Sequence, residues 1–196
     1  MAQRGSYAKG VAKRTEILDT ALEVVSRNGF RGTSVRELAD SVGLSQAGLL
    51  HYFDSKDELF TAILRRRDEV DLALADPQAD IVEQLITVIR HNADVPGLVQ
   101  LFASMSTAAT SDPSHAAHAY FVERYASIRA QVAEAITARQ RRGEVPAGVD
   151  PTRLATVLLA VSDGMQIQWM LDPATDMAEH VELVWRLALA TVGTPA

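Results

Sequence analysis

Apolar residues in this chain recur at three- and four-residue spacing almost throughout, and that period restricts it to helices. Ile17, Ala21, Val24 and Val25 fall on one helical face, as do Ile81, Leu85, Val88 and Ile89. The longest such stripe is Phe121, Tyr125, Ile128, Val132 and Ile136. No stretch alternates apolar and polar residues over the length of a strand. The Asn28-Gly29 pair fits a helix ended by a left-handed glycine better than a hairpin. The expected fold class is all-α, with about nine helices: an N-terminal three-helix unit, then a helical bundle.

Local stop and start signals place the boundaries. A first helix is expected from about Val11 to Asn28. Ser34 with Glu37, and Ser55 with Glu58, have capping-box spacing, and Ser45 opens a short helix between them. The fourth helix should run from Lys56 to about Leu72. The fifth ends near His91, and the sixth runs from Pro96 to about Thr110. The seventh stops at Gly143 and Pro146. An eighth follows from Asp150-Pro151 to about Leu171, and a ninth spans Asp176 to Val192. Asp163-Gly164 interrupts the apolar run of the eighth. A glycine inside a helix costs about 1 kcal/mol relative to alanine, so close approach of another backbone, or room for a ligand, is expected there.

Composition narrows the function. Of 196 residues, 47% are hydrophobic and 22% charged, as in a globular protein with a real core. No apolar run is expected to be long enough to cross a bilayer. The positively charged N-terminus lacks the apolar segment of a secretory leader, so the default location is cytoplasmic. Cysteine is absent, which removes disulfides and thiolate chemistry. The net charge of −6 divides unevenly. Residues 1–56 carry eight Lys or Arg against six Asp or Glu, whereas residues 57–196 carry eleven against nineteen. Arg4, Lys9, Lys13 and Arg14 all precede the first acid, Glu16. Phosphate attraction follows this local charge, because exposed charges are screened beyond roughly 10 Å.

The most specific pattern lies between Val35 and Tyr52. A helix-turn-helix needs a small residue where its two helices cross, and Ala39 is placed for that. Four residues on, the turn needs positive φ, and Gly43 is there. Leu38, Val42, Leu44 and Leu49 occupy the positions that share a core. An ordinary helical hairpin would use a similar turn, but the basic arm and the polar start of the third helix favour DNA binding.

Residues 11–60 resemble the N-terminal domain of the tetracycline-repressor (TetR) family. The resemblance is carried by Ile17, Ala21, Phe30 and Thr33-Ser34-Val35, by Ala39, Gly43-Leu44-Ser45 and His51-Tyr52-Phe53, and by Ser55-Lys56-Asp57-Glu58-Leu59. Leu50 stands where members often carry an aromatic. Placement on such a domain implies that Gln46 reads a base edge, with adenine as its bidentate partner, while Ala47 and Gly48 permit close approach. Thr33, Ser34, Ser45, His51, Tyr52 and Lys56 are expected at phosphates, with Arg36 a weaker candidate. The serines also serve as helix caps; Phe53 and Leu59 belong to the core alone.

The segment from Leu101 to Asp172 resembles the C-terminal domain of betaine-regulator-type members. That resemblance implies a small organic inducer held between the fifth and eighth helices. Gln100, Phe102, Met105, His118, Tyr120 and Phe121 are candidate contacts, followed by Tyr125, Met165, Gln166, Gln168, Trp169 and Met170. A mostly apolar lining with a few polar groups suits a small molecule, although each aromatic or Met is equally a core residue. The eighth and ninth helices are apolar on several faces. A second copy of the chain is expected to cover them, with Gly164, Val181, Val184 and Leu187 at the interface.

The expected arrangement is therefore residues 1–55 for DNA and residues 56–196 for ligand binding and dimerisation. The expected partners are a double-stranded operator, a second copy and an unknown small organic ligand, with no membrane and no cofactor. His115 and His118 share a helical face, but without a third ligand nearby no metal is expected. No Gly-rich phosphate loop, GxSxG elbow or HExxH motif points to an enzyme. A dimeric DNA-binding regulator without an effector is the alternative.

Overall fold

The computed structural model describes residues 2–74 and 80–190, with side chains over 9–72 and 80–190. Among the described residues there are nine helices and no strand. They are α1 (Ala2–Asn28), α2 (Val35–Ser41), α3 (Gln46–Leu50), α4 (Lys56–Leu74), α5 (Ile81–Asn92), α6 (Pro96–Ser111), α7 (His118–Arg141), α8 (Pro151–Leu171) and α9 (Met177–Ala190). α1 starts well before Val11, because its polar first turns are helix-compatible but carry no apolar stripe to signal them. The end expected at Val192 lies outside the described residues.

The helices form two compact units. The first holds α1–α4, α6 and the start of α7 as far as Tyr120. α4 and α6 both pack on α1, burying Ile17, Ala21, Val25, Leu59, Ile63, Val99 and Leu101. Gly29 ends α1 at φ +76°, and its N–H bonds back to Val25 O at 3.0 Å. One feature of this unit left no periodic signal. A Cβ on Gly97, in the first turn of α6, would lie 2.0 Å from Val25 O and 2.8 Å from Gly29 Cα, so the two helices meet backbone to backbone.

The second unit holds α5, α7 from Phe121 onward, α8 and α9. Its core is built from Val82, Ile89, Val132, Ile136, Leu158, Val181 and Trp185, among others. Asp80 caps α5 by accepting from Val82 N–H at 2.9 Å, and Asp150 caps α8 by accepting from Thr152 and Arg153 N–H. Arg139 of α7 donates to Asp80 at 2.9 Å and lies over the Trp185 ring at 5.2 Å, tying α5, α7 and α9 together. Burial pushes the Asp80 carboxyl up, but the Arg139 guanidinium and its backbone donors hold it below the ordinary value.

One expectation about α8 needs correction. The helix does meet the length and apolarity of a bilayer-crossing segment. Its Leu154, Ala155, Leu158, Leu159 and Met165 are nevertheless buried. The helix runs without a break through Gly164, as expected, and among the described residues a Cβ there would meet nothing within 4 Å.

Candidate functional site

The turn between α2 and α3 follows from three residues. Ala39 is 1% exposed, and its carbonyl accepts from Val42 N–H at 3.2 Å and from Leu44 N–H at 2.9 Å. Gly43 supplies φ +69° at the reversal, a conformation that a Cβ would strain. Leu38 and Leu49 are buried beneath, and Val42 and Leu44 are half-buried. The crossing helices are thereby fixed to each other, with the first turn of α3 outward: Ser45, Gln46 and Ala47 are exposed. Ser45 Oγ accepts from Gly48 N–H at 3.0 Å. A Cβ on Gly48 would come within 3.2 Å of that oxygen, so glycine keeps the cap undisturbed.

Around this edge, Ser34, Arg36, His51 and Lys56 are exposed and Tyr52 is half-buried. Arg36 sits 4.0 Å from Asp40, and the Lys56 ammonium lies 5.6 Å from the Phe60 ring centroid. Thr33 differs from the others. It is 5% exposed, and its hydroxyl donates to Gly29 O at 2.8 Å, closing the α1–α2 connection.

In both capping boxes the serine makes its bond. Ser34 Oγ accepts from Glu37 N–H at 3.1 Å, and Ser55 Oγ from Glu58 N–H at 3.0 Å. Both glutamates also contact α1. Glu37 accepts from Asn28, and Glu58 from Arg14 at 2.9 Å. Arg14 also stacks over Phe53 at 4.7 Å, and Lys13 pairs with Glu16 at 2.7 Å, so two of the four early cations are committed within the unit. Burial pushes the Glu58 carboxyl up against the opposing pull of Arg14.

The residues expected at a ligand divide between the units. In the first, Phe102, Met105 and Tyr120 are buried, while Gln100 and His118 are half-buried. Two already have internal partners: the Tyr120 hydroxyl donates to Asp68 at 2.7 Å, and His118 Nδ1 pairs with Ala109 O at 2.9 Å. His115 turns elsewhere, its Nε2 lying 3.6 Å from Asp57. In the second unit, the Phe121 and Tyr125 rings stack with centroids 6.2 Å apart. Met165 and Trp169 pack in the core, Gln168 is exposed, and Met170 is half-buried. Gln166 is 7% exposed, and its Oε1 is buried with no hydrogen-bond partner.

The four residues expected at a dimer interface also separate. Val181 is fully buried in its own unit, and Val184 packs against the same core. Leu187 is 60% exposed and Gly164 half-buried. The exposed apolar residues of α8 are instead Val157, Ile167 and Leu171, with Leu183 on α9.

Residues 17–63 match the signature of bacterial regulatory proteins of the tetR family, and residues 77–193 match the C-terminal domain of BetI-type transcriptional repressors. The chain belongs to the TetR family. Among curated TetR-family relatives, the Escherichia coli regulator RutR is 35% identical over 98 residues, which is 46% of each chain. The match thus spans about half of that relative's length. A regulator from Saccharomonospora viridis, solved in complex with choline, superposes with a TM-score of 0.64 at 26% identity, covering 87% of this chain and 93% of that one. A TetR regulator from Haloarcula marismortui reaches a TM-score of 0.72 at 18% identity over 92% and 98% of the two chains, which supports the fold alone.

One residue of this TetR-family chain carries a contact that its sequence position does not announce. Asp163 accepts a hydrogen bond from the Tyr125 hydroxyl at 2.6 Å across α7 and α8. Burial raises its carboxyl above the ordinary aspartate value, partly offset by Tyr125 and by the charge of Arg124. Burial and the adjacent Asp163 charge likewise push the Tyr125 phenol up. An acid within the apolar run of α8 is the available signal in the sequence.

Proposed function

We infer that this chain is a DNA-binding transcriptional regulator: a homodimeric, cytoplasmic repressor that grips a near-palindromic operator and is released by a small organic ligand. In this reading, residues 1–55 read DNA and residues 56–196 bind ligand and dimerise. The observation that carries it is the α2–turn–α3 geometry, which presents Gln46 and Ala47 on an outward helix start flanked by Ser34, Ser45, His51 and Lys56. A recognition helix in the major groove needs such an edge, with the flanking groups on phosphates.

Dimerisation is supported by the spacing of Val157, Ala160, Gly164, Ile167 and Leu171, which forms a three-four stripe along the outer face of α8. Leu183 extends the apolar exposure onto α9. A second copy would cover both helices in a two-fold, four-helix contact, and Gly164 would admit its backbone. The choline held by the S. viridis relative supports a small organic cation as the ligand class. Such a ligand releases DNA only if it binds the operator-free conformation better than the bound one. The packing of Met165 and Trp169 into the core favours the alternative, a regulator without an effector.

Selection of bound sequences from genomic DNA, followed by a gel-shift titration, tests the DNA reading. A paired, inverted half-site is the expected product. Uniform affinity for all duplexes would refute it. Ligand-dependent thermal stabilisation separates the effector reading from its alternative.

A further inference from the structure

The seam between α7 and α8 is unusual for its hydrogen-bond balance. Leu159, Asp163, Gln166 and Met170 recur at spacings of four, three and four, so they form one ridge of α8. Tyr125 meets this ridge from α7, its hydroxyl 2.6 Å from Asp163 Oδ2. One turn along, Gln166 is nine-tenths buried, and its amide oxygen lacks a donor. A buried acceptor without a partner is destabilising, and a half-buried carboxylate attracts cations. The seam therefore presents one acceptor that lacks a donor beside a carboxylate that attracts cations. It also carries aromatic surface, since Phe121 stacks beside Tyr125 with only 28° between the ring planes. Ring faces attract cations.

We propose that Asp163, Gln166 and Tyr125 form a recognition site for a protonated amine, a small organic cation that brings N–H donors as well as charge. The proposal rests on the reading of this chain as a ligand-responsive regulator and sharpens it. The ammonium pairs with Asp163, one N–H satisfies Gln166 Oε1, and the alkyl part lies against Phe121 and Tyr125. Arg124 acts on the same carboxylate and is the cation with which the amine competes. A quaternary ammonium supplies the charge but no N–H, and an alcohol supplies a donor but no charge. The site therefore ranks a primary ammonium above both.

The test uses the full chain and three probes, read by calorimetric titration near neutral pH: n-butylammonium, n-butanol and tetramethylammonium. n-Butylammonium is expected to bind at least about tenfold more tightly than the other two, the size of one charge-assisted hydrogen bond. Asp163→Asn keeps an acceptor for Tyr125 and so preserves the fold, which a circular-dichroism melt verifies. It should abolish the preference for amine over alcohol. Gln166→Leu should remove the preference for n-butylammonium over tetramethylammonium and leave the charge preference intact. Equal affinity for amine and alcohol, or an Asp163→Asn protein that binds the amine unchanged, overturns the proposal in favour of ordered water as the partner of Gln166. The broader reading fails separately. If an uncharged compound releases operator DNA equally from wild type and Asp163→Asn, the amine site is wrong and ligand release stands. If n-butylammonium binds as expected but no compound changes operator affinity, the site stands and ligand release is wrong.

Discussion

Replacing Gly97 by alanine should damage the first unit far more than its position in a first helical turn suggests. The added Cβ would sit 2.0 Å from Val25 O, whereas real contacts essentially never fall below 3.0 Å, so α6 must withdraw from α1 by at least about 1 Å. The obstructing atoms are backbone, and Gly29 Cα stands 2.8 Å away on the other side, so no rotamer change relieves the overlap. Withdrawal would loosen Val25, Leu98, Val99 and Leu101, all now buried. Overpacking of this kind costs up to about 3 kcal/mol, and for a chain of this size that lowers Tm by about 6–12 °C. Gly10→Ala is the control, because a Cβ there meets nothing within 4 Å inside a helix and should stabilise by about 0.5–1 kcal/mol. Circular-dichroism melts of the two variants beside wild type make the comparison. A Gly97→Ala Tm within about 2 °C of wild type would refute the close-approach argument.

Gln46→Ala should flatten base preference in a binding-site selection, whereas Lys56→Ala should weaken every sequence alike and reduce the salt slope by about one unit. The same loss of preference in both variants would contradict these roles. Ile167→Glu and Leu183→Glu, both at exposed apolar positions, should give monomers by analytical ultracentrifugation and abolish operator binding while leaving the melt of each chain cooperative; persistent dimers would contradict the interface. Asp163→Asn should raise Tm at neutral pH. The folded carboxyl lies above the ordinary 3.8, so its stabilising contribution is complete below that value and is lost as pH rises through the folded pKa. The gain from Asn should therefore shrink as pH is lowered toward about 4, and a gain that grows on acidification would reverse the assignment.

Much of this architecture was legible because it rests on local chemistry. Ser34, Ser45, Ser55 and Asp150 each cap the helix their position announces, and Gly29 and Gly43 take the positive φ their turns require. What the sequence hid depends on distant partners. Glu37 and Glu58 have capping-box spacing, yet their carboxylates also take Asn28 and Arg14 of α1 as partners, contacts that only the packing of α1 supplies. Gly97 looked like an unremarkable residue after Pro96, since nothing in its neighbourhood reveals that Val25 O will lie against it. Val181 and Leu187 belong to one apolar helix, but only packing shows that the first points inward and the second outward. Thr33 lies in a phosphate-like context and instead donates to Gly29.

Asp163 shows how these levels combine. By helix propensity and burial alone, an aspartate followed by glycine is a poor choice inside α8. The helix forms regardless, because Leu154, Leu158 and Met165 on the adjoining face bury enough apolar surface to hold it. That surplus lets the chain keep two local weaknesses side by side, each on a different face. Gly164 falls on the outer stripe with Val157 and Leu171, while Asp163 falls on the ridge that meets Tyr125. Local rules broken inside an element tend to mark places where something other than folding was selected. Under the two proposals above, the glycine would be explained by a second copy and the acid by a cation. Were both proposals right, the two sites would lie within one turn of α8, and an amine that shifts α8 against α7 would be felt at the dimer contact. In a two-fold dimer that contact would set the spacing of the two recognition helices, which is the quantity an operator reads.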